Sequence, residues 1–205
     1  MKLEIIQEIK NLIKICNLNC SIEEFKDKVN WKNISWFQKL SEDFIREFKD
    51  KVGWYYISIN QELSEDFIRE FKDEIEWFHI SRFQELSEDF IREFKDKVHW
   101  DCISSSQKLS ENFIIEFQDK VDWGYISFSQ KLSENFIIEF KDKVDWDSIS
   151  YYQEFSKDFI LKYQKKLNIE KLIERKLITE DEIKEYNSKT FWSENKLNRF
   201  ELIQI

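Results

Sequence analysis

The chain contains no proline, two glycines and three cysteines among its 205 residues. Without proline and glycine there is no collagen-like, proline-rich or glycine/serine-linker segment. A β-sandwich or barrel needs a turn roughly every 8–12 residues, and turns lean on the same two residues. Helix interiors exclude both, so their scarcity favours helices. Three cysteines, an odd number, do not make a disulfide scaffold. No stretch approaches the roughly 18 apolar residues that span a bilayer. The start, MKLEIIQEIKNLIKI, lacks the continuous apolar core and small-residue cleavage site of a secretory signal. The expectation is a cytoplasmic protein whose thiols stay free in a reducing cytosol.

What is present is aromatic and acidic. There are 19 Phe and 8 Trp, which excludes wholesale disorder. Acidic residues number 41 and basic residues 32, for a net charge of −9.

The dominant signal is an internal repeat, and a repeat decides the fold before any other reading. The segment LSEDFIREFKDKVGWYYISINQE begins at Leu40, and its counterparts begin at Leu63, Leu86, Leu109 and Leu132. The full copies are therefore 40–62, 63–85, 86–108, 109–131 and 132–154, with no insertion. A degenerate copy occupies 17–39, and another begins at Phe155 and leaves the pattern after Tyr163. Three copies share LSEDFIREFKD and two share LSENFIIEF letter for letter, as recent tandem duplication would produce.

Each copy reads as two short helices. Ser41 is a good N-cap, followed by Glu42 and Asp43 at the positive end of the helix dipole. Leu40 and Ile45 have the spacing of a hydrophobic staple. Phe44, Ile45, Phe48 and Val52 form an apolar stripe, and Glu47 with Lys51 has i,i+4 spacing. These features predict a first helix over about 42–51. The second half is W-x-x-I-S-x-x-Q. In the first full copy, Trp54, Ile57, Ser58 and Gln61 share one face of a second helix. The residue before the Trp is Asn30, Gly53, Glu76, His99, Asp122 or Asp145, and four of these six are good caps. Neither helix is long enough to persist alone, so stacking must supply the core. The predicted architecture is an all-α α-solenoid of tandem 23-residue two-helix repeats over 17–154, with helical caps at both ends. The N-terminal cap is an amphipathic helix within 1–16, presenting Ile5, Ile6, Ile9, Leu12, Ile13 and Cys16 on one face. Residues 155–205 hold the degenerate copy and a helical C-terminal cap, or alternatively a separate docking element. There Thr179 with Glu182 reads as a capping box for a short helix. Ser193 reads as the cap of a last helix carrying Leu197, Phe200 and Leu202.

No catalytic constellation is apparent. There is no glycine-rich phosphate loop, and no Ser–His–acid order stands out. His79 and His99 read as local variation, and the many carboxylates as solvated helix faces. Cys16 and Cys20 are four apart, but neither His79 nor His99 sits at a familiar metal-ligand spacing from them. The expectation is no enzyme, no metal and no cofactor.

Variation between copies is more informative. Trp, Ile, Ser and Gln recur in every full copy, while four positions between them change. These are Tyr55, Tyr56, Ile59 and Asn60, then Phe78, His79, Arg82 and Phe83, then Asp101, Cys102, Ser105 and Ser106. They become Gly124, Tyr125, Phe128 and Ser129, and finally Asp147, Ser148, Tyr151 and Tyr152. Their spacing places them opposite the constant face. A varied surface rich in Tyr and Phe suits protein recognition. Drift at exposed positions, or burial of the aromatics, is the alternative. The candidate partner-binding residues are Tyr55, Tyr56, Phe78, His79, Arg82, Phe83, Tyr125, Phe128, Tyr151 and Tyr152. The full copies carry −2, −4, −1, −2 and −4, so the array is acidic. Asp101, Asp122, Asp145 and Asp147 form the candidate acidic surface. Such an array repels phosphate backbones and attracts basic proteins.

The unit L-S-E-[DN]-F-I-x-E-F-x-D-K-V-x-W-x-x-I-S-x-x-Q resembles short tandem repeats in proteins of giant DNA viruses, low-GC bacteria and their mobile elements. The resemblance covers about two-thirds of the chain and implies a repeat type, with no shared activity. The Ile, Lys, Asn, Glu and Phe bias also looks like that of an AT-rich genome. If the gene is viral or phage-borne, the resemblance implies a host-cell cytosolic protein and an alternative function. That alternative is an acidic inhibitor occupying the basic nucleic-acid-binding groove of a host defence protein, as inhibitors of CRISPR nucleases do. The leading expectation is a non-enzymatic protein that binds another protein through its second helices. A structural or self-assembling array is the third reading. The expected partner is a protein, basic or nucleic-acid-binding in the inhibitor reading. No direct nucleic acid is expected through the repeats and no membrane, and the chain reads as a monomer or a weak self-associator.

Overall fold

The computed structural model describes the backbone of residues 1–201 and the side chains of residues 1–190. Among the described residues there are sixteen helices and no strand, and equivalent helices recur every 23 residues. The chain is an all-α solenoid of tandem repeats. It divides into two compact units, Met1–Gln107 and Lys108–Ile205. The first holds α1 (Leu3–Ile15) and four pairs: α2 (Ile22–Lys28) with α3 (Trp31–Phe37), α4 (Glu42–Glu47) with α5 (Trp54–Asn60), α6 (Glu65–Glu70) with α7 (Trp77–Phe83), and α8 (Glu88–Glu93) with α9 (Trp100–Ser106). The second holds α10 (Glu111–Glu116) with α11 (Trp123–Ser129), α12 (Glu134–Glu139) with α13 (Trp146–Tyr152), α14 (Lys157–Tyr163) with α15 (Ile169–Glu174), and α16 (Glu180–Glu201).

Each first helix opens as its sequence dictates. The Ser64 hydroxyl, for example, accepts the Phe67 N–H at 3.2 Å. It closes sooner than expected, because α4 ends at Glu47 instead of continuing to 51. Phe48 leaves the helical region (φ −114°, ψ 28°), and Lys51 N–H turns back to the Phe48 carbonyl at 2.8 Å. The departure brings the Phe48 ring to 5.0 Å from Trp31 of the preceding copy. It also removes the helical geometry that a Glu47–Lys51 pair requires, and among the described residues that pair does not form. The lysine at this position reaches between copies instead, as Lys97 does to Asp73 at 2.9 Å.

The letters that recur in the sequence are the joints between copies. Trp54 of one copy lies 4.9 Å from Phe71 and 6.2 Å from Phe67 of the next. The buried Ser58 hydroxyl donates to Trp54 O at 2.8 Å and accepts the Glu76 N–H of the following copy at 3.0 Å. Ser35, Ser81, Ser127 and Ser150 do the same for Gly53, His99, Asp145 and Asn168. The glutamine clamps backward. Gln84 accepts the Leu63 N–H at 3.0 Å and donates to Gln61 O at 2.8 Å, and Gln61 in turn donates to Gln38 O at 2.8 Å. Glu42 accepts the Ser64 N–H at 2.6 Å, while Arg46 reaches Glu70 at 2.7 Å across the Phe67 ring. These groups satisfy backbone that short helices leave unpaired at their ends.

The caps imitate the repeat. Ile5, Ile9 and Leu12 of α1 are buried, Ile6, Ile13 and Cys16 are half-buried, and Glu8 takes the role of Glu42 by accepting the Ser41 N–H at 3.0 Å. At the other end the repeat persists beyond Tyr163, where its sequence pattern had ended. Asn168 caps α15, and the buried Leu172 stands one period after Ile149. Arg175 donates to Ser150 O at 2.7 Å in place of the next glutamine. Lys176, at φ 58°, then ends the register. The Thr179–Glu182 capping box forms, with Thr179 N–H to the Glu182 carboxylate at 2.9 Å and Glu182 N–H to the Thr179 hydroxyl at 3.3 Å. It opens one long helix where a short one was expected. Helix α16 runs through Ser193, so Ser193 starts no separate last helix. The side chains of Leu197 and Phe200, and all of Leu202, lie outside the described residues.

Several of these contacts tie stability to pH. A hydrogen bond from Lys157, with help from Thr179, lowers the Glu182 carboxyl below its usual range. Bonds from Lys97 and Lys2 lower Asp73 and Asp43 in the same way. A carboxyl depressed in the folded state contributes stability that is complete above its unfolded pKa, about 4. That contribution is lost as pH falls through the lower folded value. The expected result is a cap at 179–182 that loosens in acid below about pH 4. Amide exchange at Glu182 and Ile183 reads this directly, and Lys157→Met should bring the loosening to higher pH.

Candidate functional site

The second helices form rows. In the first unit α5 packs on α3 and α7, and α7 on α9. In the second, α13 packs on α11 and α15. One helix edge is consumed by the constant Ile, Ser and Gln, all buried in the full copies. The other edge carries the variable positions. Tyr55, Phe78, Phe83, Tyr125, Phe128, Tyr151 and Tyr152 are 42–52% exposed, and Arg82 is exposed too. Rings that remain so exposed in well-packed helices are an apolar surface without an internal occupant.

One of the four variable columns departs from the expected outward face. Tyr56 and His79 are half-buried and Cys102 is buried. The second column packs sideways against the preceding helix. Tyr56 lies 4.9 Å from Trp36, and His79 lies 4.8 Å from Tyr55. The imidazole Nδ1 of His79 is shielded and has no hydrogen-bond partner among the described residues. Burial raises the Cys102 thiol pKa, which disfavours its thiolate. In the second unit Tyr125 is instead exposed and Ser148 half-buried.

Neighbouring rings connect. In the first unit Trp36, Tyr56, Tyr55, His79 and Phe78 follow one another at 4.8–5.3 Å between ring centres. Trp36 and Phe37, 40% and 71% exposed, extend this strip and were missed from sequence, because they lie in the degenerate copy. Their places as third and fourth variable positions after Trp31 were the available signal. In the second unit Phe128 lies 4.2 Å from Tyr152, and the Lys171 ammonium lies 4.7 Å from the Tyr151 ring. Of the acidic candidates, Asp101, Asp145 and Asp147 are exposed and Asp122 is half-buried. Asp122 and Asp145 are also helix caps, accepting the Tyr125 and Ser148 N–H groups at 2.8 and 2.6 Å.

Among the described residues no group of three or more His, Cys, Asp or Glu is placed to hold a metal ion. Cys16, Cys20 and Cys102 are free thiols. No described helix is long and apolar enough to cross a membrane. The chain matches no protein-family model, and it matches neither a curated protein nor a solved structure.

Proposed function

We propose that this chain is a non-enzymatic repeat protein that binds another protein through the variable face of its second helices. The observation that carries the reading is the strip of half-exposed rings on a framework whose constant residues are occupied in joints. Large rigid aromatics add contact area at little entropic cost and dominate binding hot spots. A reducing cytosol suits the three free thiols. The exposed carboxylates Asp101, Asp145 and Asp147 favour a second reading, an acidic inhibitor from a virus, phage or mobile element that engages a basic groove.

Affinity capture from the source cells at low and high salt tests both. Tyr55→Ala, Phe78→Ala and Tyr125→Ala should each remain helical and melt within a few degrees of the parent. Each should weaken the partner by about tenfold or more, the loss typical of a truncated hot-spot ring. A partner released by salt and unaffected by these changes would favour the inhibitor. Recovery of the chain alone, at a mass above the monomer, would point to self-assembly and against both.

A further inference from the structure

Gly124 stands out from its counterparts. It occupies the first variable position, which is Tyr55, Phe78, Asp101 or Asp147 in the other full copies. It lies inside α11, where glycine is a poor helix former, and its φ is not positive. A side chain there would meet only Asp122 Oδ1, at 3.1 Å. Gly53 differs, because a Cβ there would run into the Tyr56 ring at 2.8 Å. Its φ is ordinary and no core side chain would meet a Cβ there, although that Cβ would press on the capping Asp122 carboxylate, so toward the neighbouring helix the glycine leaves space.

The space is visible against the other gaps between second helices. Between α5 and α7 the gap holds the Tyr55 ring against His79, and between α7 and α9 it holds Phe78 at 5.4 Å from His99. Between α3 and α5 it holds a cation, with Lys32 lying 5.7 Å from the Tyr56 ring. Between α11 and α13 the two filling positions are Gly124 and Ser148, both small. A cleft of about 480 Å³ remains, lined by Asp122, Gly124, Tyr125, Phe128, Asp145 and Ser148. Aromatic rings and two carboxylates around one opening select a cation. The chain seats its own lysines on rings of this face twice, Lys32 on Tyr56 and Lys171 on Tyr151.

The geometry points to this cleft as the seat of a basic side chain from the partner, presented by an arginine- or lysine-containing segment. Arginine fits best, since its planar guanidinium stacks on a ring while bonding a carboxylate. The inference rests on the proposed protein-binding role of the face, and adds the chemistry of one contact.

The test is fluorescence anisotropy of a labelled hexa-arginine peptide with the full chain at 0.15 M salt (roughly the physiological ionic strength). Gly124→Tyr copies the residue of the first full repeat and fills the cleft while improving helix propensity. Asp122→Asn with Asp145→Asn removes the charge and keeps the caps, as Asn30 and Asn168 do in this chain. Each variant should bind the peptide at least tenfold more weakly than the parent. Asp27→Asn with Asp50→Asn, which removes equal charge elsewhere, should change binding less than twofold. Parent-like binding by Gly124→Tyr, equal losses from the two aspartate pairs, or no binding by the parent would each overturn the assignment. Such a failure leaves the broader role to its own test, because Tyr55 and Phe78 lie outside the cleft.

Discussion

Phe67→Ala is expected to destabilise the first unit by about 4 kcal/mol, the cost of emptying a well-packed aromatic site. Phe67 is completely buried, and two copies meet on it. Its own Phe71 lies 4.6 Å away, Trp54 is a ring contact at 6.2 Å, and the Arg46 guanidinium covers it at 4.9 Å. Arg46 and Trp54 come from the preceding copy, and the same arginine reaches forward to Glu70. Helices of six and seven residues cannot refill such a void by sliding, because polar joints hold both their ends. Phe67→Leu keeps most of the volume and should cost no more than about 1.5 kcal/mol. Urea unfolding followed by tryptophan fluorescence measures both. In a stack whose stability resides between neighbours, the damage should remain local. Hydrogen exchange should therefore rise first in α4 through α7.

Gln84→Ala should cost about 3 kcal/mol although it removes no large apolar side chain, because it strands buried polar backbone groups. The Gln84 amide accepts the Leu63 N–H at 3.0 Å and donates to Gln61 O at 2.8 Å and Ser58 O at 3.3 Å. Alanine takes this amide away from the Leu63 N–H and from the Gln61 and Ser58 carbonyls. Asn30→Ala, the loss of one exposed cap bond, should cost only about 1 kcal/mol. Equal losses for the two, in the same urea experiment, would mean that the glutamine ladder carries no special weight.

These two positions also show what the sequence could and could not reveal. Period, caps and helix pairing were legible because they are local: Ser41 and Thr179 announce helix starts within four residues. Ser58 and Gln61 were legible as constant, but their partners were hidden, since those partners are backbone groups 18 to 26 residues away. Backbone carries no sequence signature. Arg46 likewise gives no sign in sequence that its shortest ion pair lies 24 residues on, with Glu70. Early closure at Phe48 was missed because Phe48, Lys51 and Val52 suit a longer helix by pattern alone. Helix α15, which completes the degenerate copy begun at Phe155, lies beyond the legible pattern because Ile169 stands where the signature tryptophan would be, although Leu172 keeps the spacing. The face itself was legible as variation between copies. Its inward second column depends on the spacing of neighbouring helices, which one copy does not encode. Gly124 reads in sequence as one more change, and only its empty surroundings give it meaning.

If the exposed variable face is the contact surface, a partner must lie within reach of its outermost rings. A photo-crosslinking residue placed at Phe83, and in a second variant at Phe128, tests it most directly when irradiated in the source cells. Glu47, an exposed residue of a first helix, is the comparison. A crosslinked protein of the same mass is expected from positions 83 and 128 and none from 47. Crosslinks from 47 alone, or equally from all three, would contradict it.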